Sequence, residues 1–133
     1  MNANVLLVDD DPDFVALIRT ALRGKGYEVV TASNVREGLA KARTSPVDLI
    51  LLDVMMPGQD GGVLAQTIKG DARLADTPII FLTSLVSPGE AQRRAAQGSK
   101  EVYLSKPVNL PDLIACMEQQ LAMRKVRTGG TGR

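Results

Sequence analysis

Histidine and tryptophan are absent from the 133 residues, and cysteine occurs once, as Cys116. Without histidine, Ser-His-Asp and Cys-His catalytic arrangements, His-ligated zinc or haem, and a phosphohistidine carrier role are excluded. A lone cysteine forms neither an internal disulfide nor a thiolate zinc cluster, which fits a reducing compartment; a cytoplasmic location is expected. Aromatic residues are scarce, and Phe14, Tyr27, Phe81 and Tyr103 are too scattered to make a base-stacking platform. Excess charge is also missing. The net charge is +1, but Arg124, Lys125, Arg127 and Arg133 lie at the end, leaving residues 1–123 with twelve cations against fifteen acids, or −3. Such a body lacks a basic footprint, and no nucleic-acid partner is expected. No basic residue precedes the apolar run Val5–Val8, which stops at Asp9-Asp10-Asp11, so neither a signal peptide nor a membrane span is expected.

What is present suits one globular core: 44% hydrophobic and 23% charged residues in a chain of single-domain length. Val5-Leu6-Leu7-Val8, Leu49-Ile50-Leu51-Leu52 and Ile79-Ile80-Phe81-Leu82 are apolar at successive positions, as strands buried on both faces of a parallel sheet require. Glu28–Ala32 and Val102–Ser105 are weaker strand candidates. Between the strands, Phe14, Leu17, Ile18, Ala21 and Leu22 follow helical spacing, as do Leu110, Leu113, Ile114, Met117 and Leu121. Val35, Leu39 and Ala42 support a further helix, and Val63, Leu64, Thr67 and Ile68 another. The segment 89–97 offers mainly alanines and predicts a weakly buried helix. Asp11 before Pro12 and Asn109 before Leu110-Pro111 supply helix starts, and Gly24 and Gly26 a stop. The alternation predicts an α/β domain, a doubly wound parallel sheet of five strands with helices on both faces. Residues 1–123 form this domain; 124–133 read as a flexible, basic, Gly-rich tail with no output domain after it.

Ligands of open parallel sheets bind beyond the carboxyl ends of the strands. Those ends carry Asp9-Asp10-Asp11, Asp53, Thr83-Ser84 and, after the fifth strand, Lys106-Pro107. Two carboxylates about 4 Å apart repel by about 4 kcal/mol at an effective dielectric near 20, so a cluster needs either raised pKa values or a cation, and a divalent metal resolves the conflict. Oxygen donors without histidine or thiolate select a hard ion, Mg2+, with Mn2+ as substitute. Beside it, an Asp oxygen can attack phosphorus while Lys106 and the Thr83 hydroxyl hold the transferred group's oxygens. Singly, each residue has a plainer reading: a helix cap at Asp9–Asp11, turns at Asp53 and Asp60-Gly61, a strand residue at Thr83, a surface lysine at Lys106. Their conjunction at four strand ends favours phosphoryl transfer.

With Val8-Asp9-Asp10-Asp11-Pro12, Asp48 through Gly61, Pro78 through Ser84 and Tyr103-Leu104-Ser105-Lys106-Pro107, the sequence resembles the response-regulator receiver domain of two-component signalling over residues 4–123. The resemblance implies a flavodoxin-like sheet of order 2-1-3-4-5, with Asp53 as phosphoacceptor and Mg2+ held by Asp9, Asp10, Asp53 and the backbone carbonyl of Met55. It further implies Thr83 as switch hydroxyl, Tyr103 as switch aromatic, Lys106 as the phosphate's cation, and Pro107 after a cis peptide. The donor would be a histidine kinase or phosphotransfer protein. An unknown downstream protein would bind the face of residues 89–123, and the chain would be a monomer or weak dimer. It would be no enzyme beyond catalysing its own phosphorylation and dephosphorylation. Gly98 stands five residues before Tyr103, one more than the common family spacing, implying an extra residue in that turn. Two alternatives stay open, a phosphorylation-independent scaffold and a receiver cut from a longer regulator. A Mg2+-dependent phosphohydrolase would need a substrate-covering insertion, and no loop here is long enough.

Overall fold

The computed structural model describes residues 3–56, 59–84 and 102–129. In chain order the elements are β1 (Asn4–Val8), α1 (Pro12–Gly24), β2 (Glu28–Ala32), α2 (Val35–Thr44), β3 (Leu49–Asp53), β4 (Met55–Met56), β5 (Gln59–Asp60), α3 (Gly61–Lys69), β6 (Ile79–Thr83), β7 (Val102–Ser105) and α4 (Leu110–Gly129). The predicted helix over 89–97 and the turn at Gly98 lie outside the described residues. Five strands make one parallel sheet of order β2-β1-β3-β6-β7, while β4 and β5 pair separately as an antiparallel ribbon. Counting only the strands of the main sheet, the order is 2-1-3-4-5, as expected, and both weak candidates, Glu28–Ala32 and Val102–Ser105, are strands.

The successive apolar positions serve both sheet faces because side chains alternate along a strand. Leu6, Val8, Ile50, Leu52, Ile79 and Phe81 pack with Leu64, Ala65 and Ile68 of α3 and Ala42 of α2. Val5, Leu7, Leu49, Leu51, Ile80 and Leu82 pack with Ile18 and Leu22 of α1 and Leu113 and Met117 of α4. Full burial of one such side chain contributes about 1.5–3 kcal/mol, so this double layer is the main term holding the sheet. On α2, Gly38 is buried where an added Cβ would stand 3.1 Å from both Val8 Cγ2 and Leu64 Cδ2, so its missing side chain lets the helix lie close to β1 and α3.

Helix ends follow the sequence signals. Asp11 caps α1, its side chain accepting from the Asp13 and Phe14 amides at 3.0 and 3.3 Å. Asn34 Oδ1 accepts from the Glu37 amide at 2.7 Å, and Glu37 reaches back to the Ser33 amide at 2.8 Å. Asn109 Oδ1 accepts from the Asp112 amide at 3.1 Å. After α1, Gly26 takes φ of 95°, a conformation that glycine adopts at no steric cost.

Two expectations are corrected. Leu17 is 67% exposed, and Val15 packs in its place. The buried stripe runs through Phe14, Val15, Ile18 and Leu22, and Leu17 sits about 100° around the helix from Ile18, on the stripe's margin. Val63 is 52% exposed while its neighbours Leu64 and Ala65 are buried, for the same reason on α3. The last helix, α4, runs from Leu110 to Gly129. Residues 122–127, Ala-Met-Arg-Lys-Val-Arg, are mostly good helix formers, and cations near a helix C-terminus complement its dipole.

Candidate functional site

The parallel ladder carries the strand ends to one rim. Register pairs Val8 with Leu52, Asp53 with Leu82 and Thr83 with Ser105, so Asp9, Asp53, Thr83 and Lys106 leave neighbouring strands at almost the same level. Backbone bonds extend the ladder beyond the strands: the Asp9 amide donates to Ala32 O at 3.0 Å, and the Lys106 amide to Thr83 O at 3.0 Å. The rim's side chains therefore stand on hydrogen-bonded sheet backbone.

The three consecutive aspartates divide into separate tasks. Asp11 is exposed and caps α1. Asp9 is buried, its Oδ1 accepting from the Asp11 amide at 2.9 Å and its Oδ2 from Lys106 Nζ at 2.7 Å. Asp10 is exposed, and one oxygen each from Asp9, Asp10 and Asp53 lie within 4.8 Å of one another. Lys106 Nζ also stands 3.6 Å from Asp53 Oδ2, so a single ammonium bridges two carboxylates whose side chains are 0% and 6% exposed. In a partly buried setting this ammonium offsets the repulsion between the two carboxylates.

The cluster fits a divalent ion. Three carboxylates converge from two strand ends, all the donors are hard oxygens, and the exposed Asp10 leaves the site a wet side. Met55 opens β4, two residues beyond Asp53. Thr83 is buried at the end of β6, beside Asp53 in the sheet, and Ser84 is exposed. Tyr103 is half-buried one pleat below, its ring stacked on Phe81 with centroids 5.1 Å apart and planes at 24°. The Lys106–Pro107 peptide is cis.

Two contacts were not read from the sequence. The Phe14 ring lies beneath the Lys106 ammonium, 4.3 Å from centroid to Nζ. Only its place three residues after the capping Asp11 hinted that it would face the rim. At the opposite end of the sheet, Asp48 Oδ2 accepts from the Asn4 amide at 2.8 Å, while the Asp48 amide donates to Asn4 O at 2.7 Å. Cys116 is half-buried on α4, and burial pushes its thiol up, away from the reactive thiolate.

A doubly wound sheet of order 2-1-3-4-5 with an acidic, lysine-bridged pocket at its carboxyl rim is the architecture of a CheY-like receiver. The response regulator receiver domain family matches residues 5–118. The polar-differentiation response regulator DivK of Brucella anthropi is 32% identical over 121 residues, covering 91% of this chain and 98% of that protein. Among solved structures, a CheY-like receiver domain protein from Methanospirillum hungatei superposes with a TM-score of 0.80 at 27% identity, covering 96% of this chain and 99% of the other. Vibrio cholerae chemotaxis protein CheY4 gives 0.76 at 34% identity, with 90% and 98% covered. The chain belongs to the response regulator receiver family and is a receiver domain of two-component signalling. Among the described residues, no helix is long and apolar enough to cross a membrane.

Proposed function

We propose that this receiver accepts a phosphoryl group on Asp53, with Mg2+ as the metal, from a histidine kinase or phosphotransfer protein, and signals by contact with a downstream protein on the face of residues 89–123. The observation that carries the reading is the convergence of Asp9, Asp10 and Asp53 oxygens within 4.8 Å, with Lys106 Nζ 2.7 Å from one carboxylate and 3.6 Å from another. Asp9, Asp10, Asp53 and the Met55 carbonyl would hold the ion. Bound there, Mg2+ supplies charge neutralisation of the phosphoryl oxygens.

In the reaction, an Asp53 carboxylate oxygen attacks phosphorus, an O–P bond forms, and the P–N bond of the donor phosphohistidine breaks. The departing imidazole takes a proton from water. Lys106, already against Asp53, pairs with the incoming equatorial oxygens, and the Thr83 hydroxyl donates to another. The acyl phosphate adds roughly −1.5 to −2 of charge and three acceptor oxygens at Asp53, which draws Thr83 and Lys106 inward. Tyr103, on the same sheet face as Thr83, is the side chain that follows this movement.

The test is intact mass after incubation with Mg2+ and a small acyl-phosphate donor, for the native chain and for Asp53→Asn. A single phosphate adduct that needs Mg2+ and disappears in Asp53→Asn is the expected result. If neither the donor nor beryllofluoride, a non-hydrolysing mimic of the acyl phosphate, engages Asp53, the reading fails and a phosphorylation-independent scaffold takes its place.

A further inference from the structure

Lys106 is held from three sides, and only two of them are charged. Its ammonium meets Asp9 Oδ2 at 2.7 Å, Asp53 Oδ2 at 3.6 Å and the face of Phe14 with 4.3 Å to the ring centroid. That spacing is well inside the roughly 6 Å over which an aromatic face attracts a cation. The ring is itself fixed: Phe14 sits in the first turn of α1, its amide bonded to the Asp11 cap, and its side chain packs on the core beneath α1 and α4. The lysine side chain is only 21% exposed, so little water weakens the attraction.

We infer that Phe14 is a positioning residue for Lys106, keeping the ammonium seated between Asp9 and Asp53 and thereby setting how readily the acidic cluster exchanges this internal cation for a divalent one. The inference rests on the metal-binding part of the function proposed above. Lys106 and a divalent ion draw on the same two carboxylates, so whatever strengthens the lysine's seat weakens the ion's hold by the same factor. Phe14 carries no charge and acts on the cluster through the lysine.

Two measurements test it. In the native chain, proton NMR should find the Lys106 ε-methylene resonances shifted upfield by the Phe14 ring current, with the shift lost in Phe14→Leu and kept in Phe14→Tyr. Mg2+ titration followed by the amide resonances of Asp9, Asp10 and Asp53 should give a dissociation constant about threefold lower in Phe14→Leu than in the native chain, with Phe14→Tyr close to native. In a Lys106→Met background, Phe14→Leu should leave the Mg2+ constant unchanged, an outcome that a merely structural role for the ring would not give. Unshifted ε-methylene protons in the native chain overturn the inference. So does an unaltered Mg2+ constant in Phe14→Leu, an equal change in the Lys106→Met background, or a native chain that binds no Mg2+. Should Phe14→Leu fail to fold, Phe14→Met takes its place in every arm. None of these readouts needs a phosphoryl donor, so failure of the Asp53 adduct would defeat the proposed function and leave the role of Phe14 intact.

Discussion

The two ends of the sheet both use aspartate, and they use it differently. At the amino end, Asp48 takes neutral donors from Asn4, its carboxylate accepting from the Asn4 backbone amide at 2.8 Å and from the Asn4 side-chain amide at 3.4 Å. At the carboxyl end, Asp9 and Asp53 are more deeply buried and share an ammonium at the tip of a flexible side chain. A backbone N–H cannot leave its strand, so the first arrangement ties β1 to β3 permanently. A lysine head can be displaced by another cation, so the second holds charge in an exchangeable form. Residue type alone does not separate a fixed carboxylate from an exchangeable one; the partner's freedom to leave does.

The sharpest way to break this comparison is Lys106→Met. It removes the ammonium that two buried carboxylates share, and removing one partner of a buried ion pair is costly because the charges left behind lose that compensation. Unfolding in urea at low ionic strength should show a loss of about 2–3 kcal/mol, somewhat below the fully buried case because the lysine is partly exposed. Added Mg2+ should recover more than half of that loss, since the cluster then regains a counter-charge. If Mg2+ recovers nothing, the carboxyl rim is as fixed as the amino one and the contrast disappears.

Asp48→Ala is the counterpart at the other end. Losing its acceptor exposes the Asn4 amide at a partly buried strand start, which should lower stability by about 1–2 kcal/mol. This loss should be indifferent to Mg2+, because Asp48 stands at the opposite end of the sheet from the acidic cluster. A Mg2+-dependent loss in Asp48→Ala would show that the two ends are coupled through β1 and β3.

The difference between the ends was only half legible in the sequence. The sheet was, because Leu49–Leu52 and Ile79–Leu82 have no polar position to give to solvent and therefore belong in a sheet's interior. The meeting of Asp9, Asp53, Thr83 and Lys106 at one rim was too, because each stands at or just beyond the carboxyl end of a strand and the parallel topology brings such ends together. The division of labour among Asp9, Asp10 and Asp11 was not, because it depends on which way each side chain leaves the turn into α1. Nor was the Phe14 ring beneath Lys106, a contact between residues distant in sequence whose only local sign is the helix start at Asp11. Leu17 was misread because periodicity gives the width of an apolar stripe but not where tertiary packing centres it.

Glu37 gives the finest form of the comparison, a carboxylate satisfied mainly by neutral donors on the surface. Its acidity is strengthened first by the Ser33 amide and then by the Ser33 hydroxyl, with Lys41 a smaller contributor, and its pKa lies below the usual 4.5. A carboxylate with a lowered folded pKa adds stability above the unfolded value, and that stability is lost as pH falls through the folded one. Glu37→Gln should therefore lower the melting temperature at pH 7, and the gap to the native chain should close as pH drops below the usual glutamate range and through the lowered folded pKa. The side chain is 40% exposed, so the gap at pH 7 should be small, roughly a degree or two. Because the leading donors are neutral, 0.5 M salt should leave most of the gap in place, with about 0.5 M chosen to screen surface charge strongly. If salt erased it, Lys41 rather than Ser33 would be the partner that counts, and Glu37 would belong with the exchangeable carboxylates of the rim instead of the fixed one at Asp48.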